Sequence, residues 1–331
     1  MSYANQILRI NLKTKEIKKE PLDLEIAQQY LGGRGYAVKI LYDELKPGID
    51  PLKFANKLVI MTGPLTGTNS PTTSRWCMVS KSPLTKRTLN DTHCGGNLGI
   101  EIKRAGYDGI IIEDISDSPV YLLIENSDVS IKNASDLWGR TIEETEILLK
   151  KNHPTHSIAS IGPAGENLVL FACVRNGART AGRGGIGAVW GSKKLKAIVV
   201  HGSNKIKVAN EFAFRKFNRK FRDVLKGHPV TGTGMKLYGT PILVNLVNKH
   251  GVLPVKNYNT GIFNEIRNIA GETLEEYLVK LEPCQGCTIS CGRLMSYENI
   301  ETQGPEFETI WAFGPNCGIS DLKTIFKANL Q

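Results

Sequence analysis

Apolar residues arrive along this chain in short blocks separated by glycine and proline. "ILRINLKTKEIKKEPLD" alternates apolar and polar positions on either side of Thr14 and Lys15, which predicts a hairpin with one wet face. A helix is expected from Leu24, ending near "GGRG" (Gly32 to Gly35). "KLVIMTGP" (57–64) is an apolar run with a Gly-Pro stop and reads as a buried strand.

The blocks then repeat. "KLVIMTGP" is followed by strand-like "SRWCMVSK" and by "GGNLGIEIKRAGYDGIII". "HSIASIGP" (156–163) is followed by "LVLFACVRN", also strand-like, and by "GGIGAVWGSKKLKAIVV". The order is the same twice: strand, Gly-Pro, strand, Gly-Gly opening a short helix, basic residues, strand. This predicts two related halves packed about a pseudo-twofold axis, with their glycine turns converging on one ligand.

Beyond about Asn210 the period changes. Phe214, Phe217, Phe221, Val224 and Leu225 make a helical stripe, and "GTPILVNLVNKHG" and "TLEEYLVKLEPC" also read as helical. The fold expected is α+β. Residues 1–208 form a β-rich domain of two pseudo-symmetric halves, and residues 209–331 the start of a helical domain. A last helix is expected after Ser320 as N-cap, its apolar stripe of Leu322, Ile325 and Phe326 having nothing to cover it. A chain stopping there reads as a fragment of a longer protein.

Composition narrows the class. The chain has 331 residues, 41% hydrophobic and 22% charged, which suits a globular core. No apolar stretch approaches the length of a membrane span, and the N-terminus lacks the form of a secretory signal. Seven cysteines, an odd number, do not resemble a disulfide framework, so a reduced, cytoplasmic protein is expected. The formal charge of +10 is carried by scattered lysines and arginines without a nucleic-acid module, and it suits an acidic protein partner.

The candidate chemistry lies in three places. Cys284, Cys287 and Cys291 in "PCQGCTISCGR" have C-x2-C-x3-C spacing on a loop favoured by Pro283 and Gly286, a pattern that suits an iron–sulfur cluster. Zinc competes, but the second cysteine pair it usually takes is absent and Cys317 stands alone. "GRGGIG" (182–187) matches G-x-G-x-x-G and could present backbone N–H groups to a phosphate. Arg75 and Arg183 are candidate phosphate clamps, paired through the repeat, and His93 and Cys94 stand before Gly95–Gly96 at a turn entering a helix. Cys77 and Cys173 read as core residues on matching strands.

"GPLTGTNSPTTSR", "AGYDGIII", "IGPAGENLV", "AGRGGIGAVWGSKKLKAI", "LPVKNY", "PCQGCTISCGR" and "GPEFETIWAFGPNCGI", in this order, resemble the N-terminal half of the tungsten-containing aldehyde:ferredoxin oxidoreductase family. The resemblance implies a tungsten (or molybdenum) bis-pterin cofactor and a [4Fe–4S] cluster. Carried over, Arg75, Gly95 and Gly96 match a first pterin-facing turn, and Arg183, Gly184 and Gly185 a second. The cysteine triplet matches the cluster ligands. His93-Cys94 stands where the family commonly has Asn-Ser. The second set of pterin contacts, the fourth cluster cysteine and the acid/base residues belong to the family's other half, and no catalytic residue is assigned here.

The implied reaction is aldehyde to carboxylic acid, with electrons leaving through the cluster to ferredoxin. The implied partners are ferredoxin, a small aldehyde, and either a second copy or the missing C-terminal half. This chain alone is expected not to turn over aldehyde. Basic residues, Arg293 among them, are expected to ring the cluster loop for ferredoxin. Two alternatives stay open at this point: an inactive scaffold remnant, and a nucleotide-binding domain with a zinc loop.

Overall fold

The N-terminal hairpin forms as expected: β1 (Gln6–Asn11) and β2 (Ile17–Pro21) pair antiparallel. In the computed structural model, which describes residues 2–330, the chain divides into two units, one up to Glu211 and one from Phe212 onward.

In the first unit β1 and β2 join β3 (Leu58–Thr62), β4 (Trp76–Lys81), β5 (Leu89–Cys94) and β6 (Gly109–Glu113) in a sheet ordered β2-β1-β6-β3-β4-β5. A second sheet contains β7 (Val120–Glu125), β8 (Asp128–Asn133), β9 (Ser157–Ser160), β10 (Val174–Asn176), β11 (Arg179–Ala181) and β12 (Leu195–His201). Read from its other edge, its order is β8-β7-β12-β9-β10-β11, the same path strand for strand. The correspondence extends to strand sense. β1 runs parallel to β6 as β7 does to β12, while β3 and β9 are antiparallel to those partners. The repeat therefore covers six strands per half, including the hairpin β7–β8, which sequence reasoning left out.

The helices interleave with the sheets. Helix α1 (Leu24–Tyr30) and α2 (Gly33–Glu44) bury Ala27, Ala37 and Leu41 against one face of the first sheet. Helix α1 thus starts at Leu24 and ends just before "GGRG", as expected, and "GGRG" also opens α2. Gly32 (φ +137°) takes a conformation denied to other residues, and an added Cβ would come within 3.3 Å of the Thr62 carbonyl. Helix α3 (Leu98–Ala105) leaves the first sheet but packs on β9 and β12 of the second. The outer face of the second sheet is covered by α4 (Ile142–Asn152), closed by a Thr141–Glu144 capping box. After α5 (Pro163–Glu166), helix α6 (Ile186–Ser192) packs back on β4 of the first sheet. One continuous core results: Leu8, Ile60 and Ile112 from one sheet, Leu122, Ile198 and Val200 from the other, and Ile102 and Trp190 from the crossed helices.

One local expectation fails here. "LVLFACVRN" is a strand only from Val174: Leu168 adopts φ +59°, the chain turns through Val169–Ala172, and Phe171 is left 82% exposed. The basic residues of the repeat are partly internal. Lys103 is buried in an ion pair with Asp108, Lys196 in one with Glu166, and Lys193 is enclosed with its Nζ 2.6 Å from the Asn56 carbonyl.

The second unit begins with α7 (Glu211–Gly227), followed by α8 (Met235–Tyr238), α9 (Leu243–Lys249) and α10 (Gly271–Leu274). It is not purely helical. The expected helix "TLEEYLVKLEPC" becomes β13 (Leu278–Leu281), which pairs with β14 (Arg293–Tyr297); β15 (Ile300–Gln303) completes a three-stranded sheet. Helices α11 (Phe307–Phe313) and α12 (Leu322–Leu330) follow. The stripe of α12 is covered, contrary to expectation: Ile325 and Phe326 pack with Met295 and Ile310 in this unit's own core. Asp321, not Ser320, caps α12, its carboxylate accepting from the Thr324 N–H.

Lys193 makes the first unit sensitive to alkaline pH. Burial pushes its ammonium down from 10.5 to about 8. Between those values the unfolded chain holds a proton that the native state has released, so this group makes stability rise with pH across that window. In urea titrations, the stability of wild type minus that of Lys193→Met should climb by about 3 kcal/mol from pH 8 to 10.5. A difference independent of pH would show that Lys193 is not held as described.

Candidate functional site

The two glycine turns lie on one seam, between β5 and β11. Gly96 (φ +80°) follows β5, and Gly184 (φ +68°) and Gly185 (φ +79°) follow β11; all three occupy the left-handed region that glycine tolerates. Each turn is pressed against the opposite half. A Cβ on Gly96 would stand 2.4 Å from Asn176 Oδ1, and one on Gly184 would stand 1.9 Å from the Asn90 side chain. Hydrogen bonds cross the seam in both directions. Asn176 Oδ1 accepts from the N–H groups of Asn97 and Leu98, both at 3.1 Å. Ser82 Oγ donates to the Gly184 carbonyl at 2.9 Å, and the Arg183 N–H to Thr92 Oγ1 at 3.4 Å.

Arg75 stands one step beyond the last ladder pair of the β4–β5 hairpin, Trp76 opposite Cys94, so it shares that end of the hairpin with Gly95 and Gly96. Arg183 lies within the other turn. The two are not equivalents in the repeat, as had been expected. Arg75 precedes β4, and the residue that precedes the matching strand β10 is Cys173. Both arginines are exposed, and among the described residues neither guanidinium is engaged by a carboxylate. Two free guanidiniums beside backbone turns form a donor set that fits the phosphates of a pterin cofactor. His93 is exposed and bonded through Nε2 to Asp91 at 2.9 Å. Arg34, which sequence reasoning passed over, reaches the same carboxylate at 3.5 Å from the first turn of α2. The signal for it was "GGRG", read only as a helix stop and not also as a helix start.

"GRGGIG" follows a three-residue strand whose partner is antiparallel, not the parallel strand of a dinucleotide fold, which removes the nucleotide-binding alternative. Cys77 is core, its thiol pushed up to about 12 by burial, whereas Cys173 lies outside the strands and is half-buried.

Cys284, Cys287 and Cys291 sit together on the loop joining β13 to β14. The Glu282 N–H, bonded to the Gly292 carbonyl at 2.7 Å, closes the loop, and the Cys287 N–H donates to the Cys284 carbonyl within it. Gly286 (φ +72°) permits that turn. None of the three is in a disulfide, and all three are half-buried. The Thr288 hydroxyl, between the second and third cysteines, is buried without a hydrogen-bond partner. Three thiols on one hairpin loop beside an unspent donor fit one face of an iron–sulfur cluster.

Arg293 does not ring this loop as a surface charge. It is 3% exposed, its guanidinium donates to the carbonyls of Met235, Lys236 and Leu237 at the end of α8, and burial lowers its pKa. Cys317 is exposed, its Sγ 3.3 Å from the Ala312 carbonyl.

Comparison with known proteins matches these parts. The family model described as "Aldehyde ferredoxin oxidoreductase, N-terminal domain" matches residues 7–202, and "Aldehyde ferredoxin oxidoreductase, domains 2 & 3" matches residues 216–331. The chain belongs to the aldehyde ferredoxin oxidoreductase family. It is 46% identical over 334 residues to the tungsten-containing aldehyde ferredoxin oxidoreductase of Pyrococcus furiosus, covering 99% of this chain and 55% of that enzyme. With the enzyme of the same name from Pyrococcus horikoshii it is 47% identical over 332 residues, covering 99% and 54%. An aliphatic sulfonate oxidoreductase, WOR-like subunit, of Pyrococcus furiosus is 30% identical over 98% of the chain and 55% of its own length. Among solved structures, the active site complex BamBC of benzoyl coenzyme A reductase with 1,5-dienoyl-CoA aligns with a TM-score of 0.85 at 29% identity. That alignment covers 99% of this chain and 52% of the other. The chain spans about half the length of the curated relatives it matches. These relatives are oxidoreductases, and among the described residues of this family member no helix is long and apolar enough to cross a membrane.

The glycine turns give a direct test of the seam. Gly184→Ala should cost about 1–3 kcal/mol in chemical unfolding, from the left-handed backbone and the Asn90 clash together. Adding Asn90→Ala should return the steric part and leave the backbone part. Additive effects of the two changes would show that Gly184 and Asn90 do not touch.

Proposed function

We propose that this chain supplies the cofactor-facing part of an enzyme that oxidises small aldehydes to carboxylic acids and passes the electrons to ferredoxin. The observation that carries the reading is the 46–47% identity to tungsten-containing aldehyde ferredoxin oxidoreductases, which extends over 99% of the chain.

In this reading Arg75 and Arg183 hold the phosphates of a bis-pterin tungsten group, and Gly95–Gly96 and Gly184–Gly185 present backbone to it in one shared cleft. Both arginines enter with no carboxylate to give up, so binding costs them no ion pair. When bound, the tungsten pterin would supply the two-electron oxidation by which an aldehyde and water become a carboxylic acid and two protons. Cys284, Cys287 and Cys291 would supply three of the four ligands of a [4Fe–4S] cluster, which would provide one-electron transfer. The unspent Thr288 hydroxyl would be a donor available to the cluster, where it would lower the cost of added negative charge. Basic residues other than Arg293 would meet an acidic ferredoxin, and that association should weaken with salt.

The test is metal analysis of protein purified anaerobically from cells supplied with tungstate, together with aldehyde-dependent ferredoxin reduction. Iron and tungsten are expected without turnover by this chain alone, which spans about half the length of its relatives; turnover would show that the catalytic parts assigned to the family's other half lie within these residues. Zinc as the sole metal would overturn the reading. Arg75→Ala and Arg183→Ala should each lower tungsten content while changing stability by less than about 0.5 kcal/mol, because both side chains are exposed and unpaired. Cys287→Ser should lower iron and the cluster absorbance instead. Arginine variants that lose iron and keep tungsten would reverse the assignment.

A further inference from the structure

Three of the chain's six histidines gather at one end of the second sheet, far along the sequence from the cysteine loop. Glu125 is the last residue of β7, His153 caps the C-terminus of α4, and His156 immediately precedes β9. The His156 N–H donates to the His153 carbonyl at 3.2 Å and closes the turn His153-Pro154-Thr155-His156. The turn brings the two imidazoles to the same side, with ring centroids 4.9 Å apart. His201 follows in the row, its ring 5.2 Å from that of His156, and its Nδ1 lies 3.6 Å from Glu101.

We propose that Glu125, His153 and His156 form a binding site for a divalent transition-metal ion of the zinc class. One donor atom from each lies within 4.8 Å of the others. His156 Nε2 and Glu125 Oε1 are 3.0 Å apart, close to the ~3.3 Å between neighbouring ligand atoms of a tetrahedral zinc with bonds of about 2.0–2.1 Å. A small movement of His153 completes one face of that tetrahedron. His156 is 7% exposed, and its Nδ1 has no hydrogen-bond partner, so the ring is held by a single polar contact that a coordinate bond would replace. Glu125 is 45% exposed at its side chain, which leaves an entry path and room for water in the fourth position.

The donor set selects the ion. Two imidazoles and one carboxylate suit zinc and its neighbours, whereas magnesium and calcium prefer oxygen alone. Of the nearby cations, Lys150 has its Nζ bonded to the carbonyls of Pro154 and His156, and Lys132 stands close enough to act on His153. The ligands come from β7 and from the α4–β9 connection, so a bound ion would pin the end of α4 to the strand that neighbours β12.

The cysteine loop also attracts zinc, so the test uses the full chain carrying Cys284→Ser, Cys287→Ser and Cys291→Ser. After chelation, this protein should bind one zinc ion with a Kd in the micromolar range or below, and zinc should raise its Tm. His153→Ala and Glu125→Gln change accessible side chains and should each weaken zinc binding at least about tenfold and remove the Tm rise. Cobalt(II) should give weak visible bands without a thiolate charge-transfer band. Absence of zinc binding at 100-fold excess over protein, or binding unchanged by both substitutions, would overturn the proposal.

Discussion

Helix α3 cannot cap itself. Its N-cap, Asn97, makes no side-chain capping bond, and the first N–H groups are satisfied by Oδ1 of Asn176 from the other half. Asn176 is 4% exposed, and its amide nitrogen donates to Ser157 Oγ and the Ile158 carbonyl, which ties α3 to β9. Removing that oxygen would leave buried donors unpaired at about 1–3 kcal/mol each. The first unit is therefore not two domains side by side. Each half completes its helix and its core on the other.

This interlock explains the glycines before it explains any ligand. Gly96 and Gly184 are required by positive φ and by the side chains of Asn176 and Asn90 that press on them. The close approach draws both turns onto one seam and sets Arg75 and Arg183 on the exposed ends of paired strands. The proposed cofactor contacts are thus a by-product of how the halves lock: backbone held rigid by packing, flanked by guanidiniums that packing does not use. The cysteine loop rests on a separate support, the β13–β14 hairpin of the second unit. Arg293 anchors the base of that hairpin to the end of α8.

Much of this was legible because glycine and proline act locally. Gly-Pro stops and Gly-Gly turns mark the repeat in the sequence, and C-x2-C-x3-C needs only a loop. What escaped depended on distant partners. The hairpin β7–β8 looks unlike β1–β2 in side-chain pattern and is recognised as its counterpart only by position in the sheet. "LVKL" carries a helical pattern and becomes a strand because β14 pairs with it. "LVLF" has the composition of a core strand, yet the left-handed Leu168 turns it outward. Arg293, expected among the charges around the loop, is buried, as is Lys193, and both donate to backbone carbonyls that no sequence window contains. The equivalence drawn between Arg75 and Arg183 failed for the same reason. Both flank strands, but only the register shows that one precedes its strand and the other follows.

The central claim is that the two halves of the first unit stand or fall together through the crossed helices. Native-state hydrogen exchange of the chain tests it most directly. Core amides of β6 in one half and β12 in the other should exchange through a single opening with the same free energy, and Asn176→Ala should lower both by the same amount. Separate opening energies for β6 and β12, with Asn176→Ala lowering only one, would contradict the account.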